Sequence, residues 1–108
     1  MVAETGAIRL VPEVPKRLHF VDHAWLKKRI KDPETGWEKT VNALTFRVDM
    51  EDGIRVDKVF SILSAKLQSL FMPYLEGKAY TKYIFVIIQH GAGYTAEWEV
   101  RTQPWLTV

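Results

Sequence analysis

The chain predicts an all-β barrel of five or six strands that carries one helix. Three observations predict it. Thr40–Met50 alternates apolar and polar residues at strand period, and Ile54–Ile62 repeats the pattern. Turn signals stand between the strand-like stretches: Asp52-Gly53, and later Gly91-Ala92-Gly93. The one clear helical stripe lies near Ser64–Leu75, after three strand-like segments and before two more. The predicted order is therefore strand, strand, strand, helix, strand, strand.

Each element has its own reason. Residues Met1–Pro15 carry Gly6, Pro12 and Pro15 among scattered apolar residues, which predicts an extended or mobile arm. Ile8, Leu10 and Val11 can still pair at a sheet edge. Lys16–Lys31 supports two readings. Leu18 and Phe20 alternate with polar neighbours, which favours a strand that bends. Val21, Trp25, Leu26, Arg29 and Ile30 fall at helical spacing behind Asp22 as a cap, which gives a ferredoxin-like α+β alternative. On the strand reading, Trp25, Lys27, Arg29 and Lys31 share a face. Lys31–Gly36 is a turn by composition, with Pro33 and Gly36 at its heart.

In the next strand Leu44, Phe46 and Val48 face one way, and Thr45, Arg47 and Asp49 the other. Asp52 and Gly53 accept the positive φ of a tight hairpin. The return strand places Ile54, Val56, Lys58, Phe60 and Ile62 on one face and Arg55, Asp57, Val59 and Ser61 on the other. Ser64 is the expected helix N-cap, and Leu63, Leu67, Leu70 and Phe71 form an apolar stripe that should seal the barrel. Pro73 ends or kinks the helix. Tyr80–His90 is apolar on both faces, as a central strand is. Tyr94–Thr102 returns from the glycine turn with Tyr94, Ala96, Trp98 and Val100 inward, and Pro104 ends the pairing.

The 108 residues suit one domain, read as 16–108 behind the 1–15 arm. Hydrophobic residues make up 47% of the chain and charged ones 26%, enough for a real core. There is no cysteine, so disulfides, thiolate zinc sites and cysteine nucleophiles are excluded; this suits a reducing interior or a hot one, and a cytoplasmic location is expected. No secretory pattern opens the chain, and Ile84–Ile88 is too short to span a bilayer.

Catalytic patterns are weak. His19 and His23 lack a third ligand at a familiar spacing, so two surface or half-buried histidines are expected and no metal. Glu34, Glu38, Asp49, Glu51, Asp52 and Asp57 fall in turns and on polar faces, away from the desolvated pairing that a hydrolase needs. No glycine-flanked serine turn exposes a nucleophile. Gly91-Ala92-Gly93 opens no helix, so it makes a poor phosphate loop. The expectation is a protein that is not an enzyme and carries no cofactor.

What stays is an aromatic and basic set. Element order, the Asp52-Gly53 hairpin, the helix between Phe60 and Tyr80, and the closing Ile84–Val100 hairpin together resemble the OB-fold single-stranded DNA-binding proteins of bacteria, archaea and their viruses. The likeness runs from about Lys16 to Trp105. It implies a groove for single strands across the second and third strands of the barrel, flanked by two loops. On this chain the first loop, Asp32–Lys39, holds Trp37 and Lys39, and the second, His90–Tyr94, holds Tyr94. The strand faces add Arg47 and Arg55, and Lys58 if a bulge turns it outward. Trp37 and Tyr94 would stack on bases, and the cations would meet phosphates. Trp37 has two open roles, packing over the barrel mouth or stacking on a base. The net charge of +2 and the absence of an acidic tail depart from the family pattern. The rival expectation is an assembly module that forms a homo-oligomer through its arm and its apolar strand Tyr83–Ile88.

Overall fold

The computed structural model describes residues 4–32, 34–92 and 96–105. Along the chain run β1 (Glu4–Ala7), β2 (Lys16–Lys31), β3 (Glu38–Glu51), β4 (Ile54–Ile62), α1 (Ala65–Phe71), β5 (Tyr83–His90) and β6 (Glu97–Pro104). Two 3-10 segments, Met72–Tyr74 and Glu76–Lys82, join α1 to β5. All six strands form one sheet in the order β1-β4-β3-β2-β5-β6. β2, β3 and β4 are successive antiparallel neighbours, and β5 returns to lie beside β2. A fourth strand placed beside the first of three is a Greek key. β1 and β6 are the edges, and no strand pairing joins them among the described residues.

β2 is a strand throughout, which removes a helix over Val21–Ile30 and with it the ferredoxin-like alternative. Its ambiguous pattern has a physical source. The β2–β3 register shifts between His19 and Phe20 and again between Phe20 and Asp22. Such irregularities break the period of two. Leu18, His19 and Phe20 are all buried in succession as a result. Further on, β3 follows its pattern, with Leu44, Phe46 and Val48 fully buried. Asp52 and Gly53 take φ of 51° and 84°, as the hairpin signal requires. The first part of the arm is the sixth strand. β1 pairs parallel with β4, and the Ile8 amide donates to the Val59 carbonyl at 2.8 Å.

Ser64 caps α1, its Oγ accepting from the Leu67 amide at 3.3 Å. The expected four-residue stripe is only half right. Leu67 and Phe71 are buried, but Leu63 and Leu70 are 46% and 39% exposed. α1 has only two turns, so a single i, i+4 pair meets the sheet. Pro73 sits in the first 3-10 segment, where the α-helix stops. Tyr80, expected to begin a strand, is instead buried within the second 3-10 segment, and β5 begins at Tyr83. β5 is central, between β2 and β6, as its apolar faces predict.

The core centres on Phe20. Its ring stacks on Phe46 at 4.1 Å and Phe85 at 5.3 Å, and lies 6.2 Å from Phe60. Phe71 of α1 and Tyr80 meet it edge-on. Phe60 sits on β4, two strands from β2, and flat strands two places apart lie about 10 Å from each other. The Phe20 and Phe60 rings meet across the intervening β3, an approach that the natural twist of a sheet favours.

One part of the sheet stands clear of this core. β5 pairs only with Lys16–His19 of β2, and β4 pairs only with Leu44–Glu51 of β3. Beyond them β2 and β3 continue together as a two-stranded ribbon, from Leu26↔Ala43 to Lys31↔Glu38. A strand of sixteen residues spans ~50 Å, and the molecule measures 50 × 30 × 26 Å.

Candidate nucleic-acid interface

Trp37 sits at the ribbon tip. The Asp32 amide donates to the Trp37 carbonyl and the Gly36 amide to the Asp32 carbonyl, both at 2.8 Å. Gly36 takes φ of 75°, a conformation that favours glycine. The turn thus fixes the backbone of Trp37 and leaves its side chain unsupported. The residue is 77% exposed, so it does not pack over the core. Lys39 follows two residues later, with Nζ 3.4 Å from Asp32 Oδ2. The Asp32 carboxyl is held below the usual range, first by the Glu34 amide that donates to it and then by Lys39.

At the root of the ribbon, Arg47 borders a shallow groove of about 200 Å³, lined also by Asp22, His23, Ala24, Thr45, Asp57 and Val59. Its Nε lies 3.3 Å from Asp57 Oδ1. Arg55 is exposed and sits across from Met50, beyond a register shift in the β3–β4 ladder. Lys58 needs a correction. Its cross-strand neighbour is the buried Val48, so it points to the core side, away from Arg47. The register shift falls between Val48 and Met50 and does not turn Lys58 outward. Its Nζ meets Glu51 Oε1 at 2.7 Å, and Lys16 Nζ meets Glu51 Oε2 at 2.8 Å. Burial pushes the Glu51 carboxyl up, but the hydrogen bonds from both lysines outweigh it and hold the group below its ordinary value. Glu51 in turn raises Lys16. Tyr94 lies outside the described residues.

The expected site is therefore spread out. Trp37 and Lys39 are at the tip and Arg47 at the root, ~30 Å apart along the strand. Lys39, Arg47 and Lys58 each already face a carboxylate.

A second group, along β2, is legible in the sequence as one strand face but belongs to neither expected loop. Trp25 is 45% exposed where the ribbon leaves the core, and Lys27, Arg29 and Lys31 follow it on the same face. The signal is their alternation. Its meaning depends on β2 being a strand to its end.

His23 is half-buried as expected, and His19 differs from expectation. His19 is buried, with Nδ1 2.6 Å from Asp49 Oδ1, Nε2 2.8 Å from the Thr81 carbonyl oxygen, and its ring stacked on Trp105. The Tyr80 hydroxyl and Nδ1 of the half-buried His23 share a hydrogen bond at 2.6 Å. Burial, with a smaller effect of Asp22, pushes the Tyr80 phenol up to about 12, so that proton stays on oxygen near neutrality. Among the described residues, no group of three His, Cys, Asp or Glu is placed to hold a metal, and no helix is long and apolar enough to cross a membrane.

No protein-family model matches the chain, and no curated protein or solved structure matches it significantly.

Proposed function

We propose that this chain binds single-stranded nucleic acid without catalysis and with little sequence preference, DNA being the favoured form. The proposed frame is an OB-like, partly open Greek-key barrel. Its support is the pairing of β2 with both β3 and β5, the approach of Phe60 to Phe20 across β3, and α1 between β4 and β5 in chain order. α1 also reaches toward β6, where Lys66 Nζ meets Glu97 Oε1 at 3.0 Å.

The observation that carries the reading is Trp37, held bare at the tip of a lysine-bearing ribbon. An exposed indole stacks on any base, worth about 1–3 kcal/mol, and so gives affinity without sequence choice. Lys39, Arg47 and Arg55 supply phosphate contacts; the first two would exchange their present carboxylates for phosphate. Lysine and arginine contacts release counterions, so affinity should fall steeply with salt. The test is a fluorescence anisotropy titration with a labelled oligothymidylate at low salt. Micromolar binding that weakens as salt rises is expected. No binding at micromolar protein would overturn the proposal.

A second reading has one observation in its favour. Leu26 and Val59 are 46% and 44% exposed on the same side of the sheet, beside the Arg47 groove. An apolar strip of this kind suits a second copy of the chain. Sedimentation equilibrium over a range of concentrations separates the readings: a dimer disrupted by Val59→Lys would favour self-association.

A further inference from the structure

We infer that the phosphate backbone of a bound single strand runs along the Trp25–Lys27–Arg29–Lys31 face of the ribbon, with Trp25 as a second stacking platform. This rests on the nucleic-acid reading above but assigns it a different surface from the Lys39 and Arg47 side.

The distribution of charge favours this face. Lys27 and Lys31 have no hydrogen-bond or ion-pair partner among the described residues, and Arg29 reaches Glu38 only at 3.9 Å. Their cross-strand neighbours are Asn42, Thr40 and Glu38, so three cations share the face with one carboxylate. An unneutralised cation gains most from a phosphate, because no internal ion pair must first be broken. On the opposite face Lys39 and Arg47 hold carboxylates, Lys28 Nζ donates to Ser61 Oγ at 3.2 Å, and Leu26 and Val41 make the surface more apolar.

Spacing points the same way. Alternate residues of a strand are ~6.6 Å apart, which gives a straight row of regularly placed cations. That suits an extended polyanion, whose charges also recur along a line, better than a compact ligand. Trp25 stands at the core end of the row, opposite the buried Leu44. Its position is thereby fixed while almost half of it stays open to a base.

The experiment compares the full chain with Lys27→Gln/Lys31→Gln in the same oligothymidylate titration across a salt series. Lys28→Gln, on the other face of the same strand, is the control. The double variant should bind roughly tenfold more weakly, and its log–log salt slope should fall by about 1.4, or 0.7 for each phosphate no longer neutralised. Lys28→Gln should leave both unchanged, and Lys27→Arg/Lys31→Arg should restore the slope. Circular dichroism melts of every variant should superimpose, which separates weaker binding from impaired folding. If the parent chain binds and the double variant matches it in affinity and slope, this inference falls while the nucleic-acid reading stands. If the parent chain does not bind at all, both fall. If the double substitution instead abolishes a concentration-dependent dimer, the face belongs to a second copy and the inference is overturned.

Discussion

The same two strands behave as two different materials. In one part β5 flanks β2 along Lys16–His19 and β4 flanks β3 along Leu44–Glu51, and the inward rings pack around Phe20. From Leu26↔Ala43 onward the same pair continues with no strand on either side and with most side chains in water. The ladder between the two strands runs through both halves, irregular around Phe20 and regular along the ribbon, while the side-chain surroundings change from core to water. A free two-stranded ribbon is marginal in water. Its persistence here depends on being the continuation of a buried hairpin. What the ribbon lacks in buried area it has as exposed surface, and the proposed binding there would fit the rule that function sits where local stability is low.

Substitutions should separate the two halves. The largest effect belongs to the core: Phe46→Ala removes a ring stacked on Phe20 and should lower unfolding stability by about 3–5 kcal/mol in urea denaturation. A decrease of only about 1 kcal/mol would mean that the core repacks easily and that the contrast is weak. Next, Trp37→Ala should weaken oligonucleotide binding by about 1–3 kcal/mol and leave the urea midpoint in place. A shift of that midpoint would show the tip to be structural.

Two glycines give a smaller and sharper test. Gly53 and Gly36 both take positive φ, 84° and 75°, and a Cβ at either meets nothing within 4 Å. The strain is therefore backbone strain alone, of about 1 kcal/mol. Gly53→Ala should lower global stability by about that amount. Gly36→Ala should not, because the tip can open locally before the whole chain unfolds; hydrogen exchange of the ribbon amides should accelerate instead.

The smallest effect is a pH dependence at the far end of the sheet. His90 lies 2.9 Å from Glu13 and 3.1 Å from Glu99, and the first of these hydrogen bonds does most to raise its pKa. A group raised on folding stabilises fully below its unfolded value, near 6.5, and that contribution is lost as pH rises through the higher folded value. The melting temperature should therefore decline slightly as pH rises from about 6.5, and Glu13→Gln should flatten the decline. Both groups are exposed, so salt should shrink the effect. The ribbon has no such pair among its described residues and should show no matching change in exchange rates.

How far the sequence could be read follows the same division. β3 and β4 were legible because period-two alternation and a two-residue turn act locally. Asp52 and Gly53 needed only their own backbone preferences. β2 was harder, because its register shifts are set by β3, a long-range partner that no local pattern reveals. The helix stripe failed at Leu63 and Leu70 because spacing shows which residues can share a face, while the length of α1 decides how many find the sheet. In the site, Trp37 was legible as a tryptophan in a polar turn. The pairing of cations was not: Lys58 meets Glu51 and Arg47 meets Asp57 through register and reach. Lys27 and Lys31 carry no distinctive signature one by one; only their common face on a long strand sets them apart.

The parallel pairing of β1 with β4 sets an order of events. Its partners, such as Glu4↔Val56 and Ala7↔Val59, are separated by both long hairpin strands. Contacts at that separation form only after the intervening loop has been closed, at a cost in chain entropy that local hairpins do not carry. β4 must therefore spend part of each folding event as a bare edge, its amides and carbonyls open to any neighbouring strand. Refolding should proceed most cleanly in dilute solution, and crowded conditions should divert some chains into edge-to-edge aggregates before β1 arrives.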